Sequence, residues 1–114
     1  MPLFNPPDAT WITAPLTPGW ISFGNGFQLP GYARIGDLVV LRGSAQWISG
    51  GDVIFTLPEG YRPQATIVFP AVTNNGSFVQ IGSIAILSSG VVGLGGVGGL
   101  FLVSLDGIVF GLDP

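Results

Sequence analysis

The chain has 114 residues and carries six acidic residues against three arginines, a net charge of -3, with no Lys, His or Cys. That inventory excludes Schiff-base chemistry, imidazole acid–base catalysis, thiol nucleophiles, disulfides and thiolate metal sites. It also argues against nucleic acids and anionic membrane surfaces as partners, because both are held mainly by Lys and Arg.

Taken in chain order, Met1-Pro2-Leu3-Phe4-Asn5-Pro6-Pro7 has neither a basic stretch nor an apolar run, so it does not read as a secretory signal. Residues 1–10 read as an extended Pro-rich arm and residues 11–114 as one domain. Trp11-Ile12-Thr13 begins the first expected strand, and Pro15 to Gly19 is a turn. Trp20 to Phe23 is a strand closed by Gly24-Asn25-Gly26. Tyr32 to Ile35 follows, then a long strand from Asp37 to Trp47. In that strand Val39, Leu41, Gly43, Ala45 and Trp47 alternate onto one apolar face. Val53 to Thr56 is the next strand. Leu57-Pro58-Glu59-Gly60 fits a type I turn.

Thr66 to Val72 and Phe78 to Ile81 flank Asn75-Gly76, a pair suited to the positive φ angles of a tight hairpin. Ile84 to Leu87, Val91 to Leu94, Leu100 to Leu105 and Ile108 to Phe110 continue the pattern. Gly95-Gly96 and Gly98-Gly99 mark a bend, and Asp106-Gly107 reads as a hairpin turn or glycine bulge. The expected architecture is an all-β, antiparallel two-sheet sandwich or jelly roll of roughly nine or ten short strands. Residues 63–105 carry no charge, but glycine at this density opposes a membrane-spanning helix.

The composition carries a further expectation. Hydrophobic residues make up 47% and charged residues only 8%, whereas an average domain has about 25% charged residues. A small globule this poor in charge is expected to hide surface against partner subunits.

Candidate chemistry is sparse. Gly93-Leu94-Gly95-Gly96-Val97-Gly98 matches a dinucleotide fingerprint in spacing, but strand-like sequence follows it instead of a helix. Asp37, Asp52, Glu59 and Asp106 are carboxylates at positions that suit turns, so no enzyme activity, metal or cofactor is expected of them. Arg34 with Asp37 and Arg62 with Glu59 are the expected ion pairs. The candidate ligand-binding set is Asn74, Asn75, Phe78 and Gln80 around one hairpin, with Trp47. In these, aromatic faces stack on sugar rings and neutral amides bond hydroxyls. Leu3, Phe4 and Trp11 are candidate contacts for attachment to a larger particle.

Four segments together resemble a known family. They are Trp11 through Pro18-Gly19-Trp20, Tyr32 through Gly43 (YARIGDLVVLRG), Ile54 through Pro63 (IFTLPEGYRP), and Ser104 through Phe110 (SLDGIVF). The set is similar to the C-terminal tip domains of tail fibre and minor tail proteins of phages that infect Gram-positive bacteria, including actinobacteria. The resemblance implies a β-sandwich knob that forms a homotrimer on the virion, often at the site of host recognition. The expected partners are therefore copies of the chain itself, other virion proteins, and host cell-wall glycan. Tips of this kind usually end long fibre chains, whereas here the domain starts close to Met1. That leaves two expectations, a fragment of a fibre or a free-standing module. The latter would suit a capsid decoration protein docked through its arm.

Overall fold

The computed structural model describes residues 10–95 and 102–112. All its regular elements are strands. In chain order they are β1 Ile12–Thr13, β2 Trp20–Ser22, β3 Gly31–Ile35, β4 Leu38–Arg42, β5 Ser44–Trp47, β6 Val53–Thr56, β7 Ile67–Asn74, β8 Val79–Ile86, β9 Val91–Leu94, β10 Leu102–Ser104 and β11 Val109–Gly111. They form two antiparallel sheets. A four-stranded sheet has the order β1-β3-β4-β11, and a seven-stranded sheet has the order β2-β5-β10-β7-β8-β9-β6. This is the sandwich expected from the turn-punctuated sequence. Residues 1–9 of the expected arm, with Leu3 and Phe4, lie outside the described residues, as do residues 96–99 of the expected bend and the start of the strand expected from Leu100.

The alternation read from the sequence places the core. Val39 and Leu41 on β4 and Ala45 on β5 are fully buried as that alternation requires, and Val103 on β10 joins them. They meet Phe55, Ile84, Ile86 and Val92 from the remaining strands of the large sheet, with Leu57 and Leu105 from the connections. Each Val, Leu, Ile or Phe among these contributes about 1.5–3 kcal/mol by leaving water. Tyr32 stacks on Phe55 with ring centroids 6.0 Å apart and meets Tyr61 edge-on at 5.1 Å. At β6 a bulge shifts the register between Val53 and Phe55, so Ile54 and Phe55 are both buried although adjacent.

The strand expected from Asp37 to Trp47 is two strands in two sheets. Its inward face is as read, but Gly43 takes φ +105 and turns the chain from β4 to β5. The return crossing runs beside it. Asp106-Gly107 is neither a hairpin turn within one sheet nor a bulge; it carries β10 of the large sheet into β11 of the small one. The two crossings are tied together: Leu105 N donates to Gly43 O at 2.7 Å, Gly43 N donates to Asp106 Oδ1 at 2.7 Å, and Leu41 N donates to Ile108 O at 2.9 Å. The sheets are thus joined by a paired corner that the Asp106 carboxylate ties to the Gly43 backbone.

Other local expectations shift for physical reasons. Phe78 to Ile81 and Ile84 to Leu87 merge into β8, because Gly82 keeps an extended backbone and pairs with Ala71. Its missing Cβ leaves room for the Thr73 methyl, which a Cβ would meet at 2.9 Å. The turn at Pro58 begins one residue late. Tyr61 N donates to Pro58 O, and Gly60 at φ +90 occupies the third position, as a type II turn requires. Arg34 does pair with Asp37, at 3.7 Å. Arg62 does not pair with Glu59 but donates Nε to Leu57 O at 2.9 Å.

Candidate functional site

In the β7–β8 hairpin, Ala71 and Thr73 point inward with Ile84 and Ile86, all buried. The alternate residues point away from the core. Val68 is 63% exposed, Val72 48%, Val79 70% and Ile81 75%. Val72 lies opposite Ile81, and Asn74 lies opposite Val79. The outer row continues from Asn74 through Leu102 and Gln46 to the exposed Ile21. The outer face of the seven-stranded sheet is therefore an apolar surface in which the paired residues just named bear no charge. An exposed apolar face of this kind marks an interaction surface.

A groove of about 330 Å³ is set into this face, lined by Phe27, Ser44, Val72, Asn74, Val79, Leu102, Ser104 and Asp106. Phe27 forms one wall. It reaches that position because Gly24, Asn25 and Gly26 all take positive φ, and Phe27 N closes the turn on Gly24 O at 2.9 Å. Its ring then packs edge-on against Phe23, with centroids 4.9 Å apart, while it stays half exposed. The polar groups are few. Asp106 Oδ2 accepts from Ser104 Oγ at 3.4 Å while Oδ1 holds the corner at Gly43. An aromatic wall, an amide, hydroxyls and a carboxylate in an otherwise apolar groove suit a sugar ring, whose faces are apolar and whose edges carry hydroxyls.

Of the candidate ligand residues, the structure places only Asn74 in the groove. Asn75 and Phe78 belong to the adjoining tip loop. There Asn74 Oδ1 accepts from Gly76 N, and Asn75 Oδ1 accepts from Ser77 N and Phe78 N at 2.9 and 2.7 Å. Asn75 thus shapes the loop by its side chain and not by a positive φ, which falls on Gly76 alone, at +97. Phe78 projects from the tip, 69% exposed. Gln80 lies opposite Thr73 and so belongs to the other side of the hairpin. Trp47 is half-buried against the core, with its indole N–H on Gly50 O at 3.3 Å. Trp11 stacks on Arg42. Phe27, Ser104 and Asp106 were missed as a site. The Gly-Asn-Gly turn before Phe27 was the legible signal that this aromatic is held out from the chain.

Gly76→Val is expected to destabilise the protein by about 1–2 kcal/mol, because a β-branched residue is strained at positive φ even where space is open. Urea denaturation reads this directly, and an unchanged midpoint would mean that the loop adopts another conformation.

No protein-family model matches the chain, and no curated protein is similar to it in sequence. Among solved structures, it is similar to the receptor binding protein (gp15) of Listeria phage PSA, with a TM-score of 0.73 and 21% sequence identity. The match covers 93% of this chain and 66% of that protein, so the chain spans just under two-thirds of its length. The two share their fold.

Proposed function

We propose that the chain is a non-enzymatic phage tail module that recognises the surface of the host cell, with cell-wall carbohydrate as its ligand. The observation that carries this reading is the fold shared over nearly the whole chain with a phage receptor binding protein. The groove beside Phe27 and Asn74 supplies the matching chemistry, with Ser104 and Asp106 as hydrogen-bonding partners. The module works as a homotrimer in the virion tail, and three shallow sites gain avidity that one would lack. Two observations support self-association: 8% charged residues overall, and the row of exposed apolar side chains on β7 and β8. Copies meet on Val68, Pro70 and Ile81, and the groove lies at the border of that strip, toward β10 and β5.

Phe27→Ala tests the ligand reading. Binding of the purified, fluorescently labelled protein to host cells is expected to weaken at least about tenfold, or 1.4 kcal/mol, with native mass unchanged. Wild-type protein that binds no host cells, together with a particle reconstruction placing the chain on the capsid, would replace this reading with that of a decoration protein.

A further inference from the structure

Two of the three arginines have hydrogen-bonded partners. Arg34 donates to Gly36 O at 2.8 Å and Gly60 O at 3.0 Å and pairs with Asp37, and Arg62 donates to Leu57 O. Arg42 differs. Its guanidinium lies 3.8 Å from the centroid of the Trp11 ring, and its Nε is buried with no acceptor. Among the described residues no carboxylate lies within ion-pair distance of it. Arg42 and Trp11 line a cleft of about 90 Å³ together with Gln28, Thr13 and Pro30. This cleft lies at the β1 side of the four-stranded sheet, where Gly31 pairs with both Thr13 and Arg42, and it shares no lining residue with the Phe27 groove.

A guanidinium carries five N–H donors and accepts nothing. An indole face holds the planar cation by its quadrupole but offers no acceptor in the plane of those donors. The stacking therefore orients a charge whose hydrogen bonds are still to be made. Among the described residues no carboxylate neutralises this charge, which leaves it open to an anion from outside. The cleft has room for about three waters, at roughly 30 Å³ each. That is the size of a carboxylate or phosphate group and too small for a sugar ring. We propose that the Arg42–Trp11 cleft is an oxyanion subsite, in which Arg42 clamps a carboxylate or phosphate group and the Gln28 amide supplies a further donor.

The test is an NMR titration of the full chain with inorganic phosphate in one arm and acetate in the other, at constant ionic strength set with chloride. The expected result is a saturable shift of the Trp11 indole N–H and the Arg42 Nε–H, with those of Trp20 and Trp47 unmoved. The arm that saturates first identifies the group. Arg42→Gln is expected to abolish the shift, and Arg42→Lys to weaken binding at least tenfold, because an ammonium keeps the charge but loses the fork. If Arg42 served only to clip β1 to the sheet, its variants would melt lower and neither anion would raise the wild-type melting temperature. No saturable shift in either arm, or one that persists in Arg42→Gln, overturns the proposal. Should Arg42→Gln fail to fold, Arg42→Lys and the wild-type titration still decide it. Host-cell binding by the Phe27 groove is a separate measurement, and neither result sets the other.

Discussion

Gly43→Val is expected to abolish the native fold, or to destabilise it by more than about 3 kcal/mol. Two costs add at this residue. Its φ of +105 is a conformation that a β-branched side chain resists. A Cβ there would also fall under 3.0 Å from the backbone of Leu29 and Pro30, where no flexible side chain can yield. Relief would require moving the chain before β3 away from the corner. That movement would also break the bond from Ser44 N to Gln28 O. Both sheets meet at this point, so the strain cannot stay local, and destabilisation of this size belongs to the severe tail of single substitutions. Urea denaturation followed by near-ultraviolet circular dichroism measures it. A variant with a wild-type midpoint would show that the chain does not cross between sheets at Gly43.

Ile81→Asp is expected to convert the proposed trimer into monomers while leaving each domain folded. In the isolated chain Ile81 is 75% exposed, opposite Val72 on the outer face of the hairpin. A surface substitution of this kind changes the stability of one domain by less than about 0.5 kcal/mol. Buried between copies, the same carboxylate loses its hydration with no cation opposite to it, at a cost of several kcal/mol per site. The threefold repetition multiplies that cost. Light scattering is expected to give three chain masses for the wild type and one for the variant, with superimposable far-ultraviolet spectra. A variant that keeps the trimer mass would move the interface off this face, and a monomeric wild type would remove the self-association reading.

These two residues differ in how far their roles could be read from the chain. Ile81 was assigned to a strand, but which side of that strand is wet depends on pairing with Val72 and on the absence of a covering layer. The Asn75-Gly76 signal located the hairpin correctly. The division of labour within it, with Asn75 bonding through its side chain and Gly76 taking the positive φ, is set by a four-residue loop longer than the pair implies. Asn74 and Gln80 looked equivalent as neutral polar residues near one turn. The register places Asn74 opposite Val79 on the outer face and Gln80 opposite Thr73 on the inner one, and that one-residue difference puts only Asn74 in the groove.

The linear order of residues was enough to establish an all-β chain, most of its turns, and the inward set Val39, Leu41 and Ala45. Turn chemistry and two-residue alternation are local properties, acting between neighbours that are always close in sequence. The position of the sheet crossing, the outward aim of Val79 and Ile81, and the groove between Phe27 and Val79 were decided in three dimensions. Gly43 and Asp106 stand 63 residues apart when they bond, and Phe27 and Val79 line one groove only once β5, β10, β7 and β8 have paired in their registers. Such contacts depend on which strands pair and in what register, and no window of neighbouring residues contains that information.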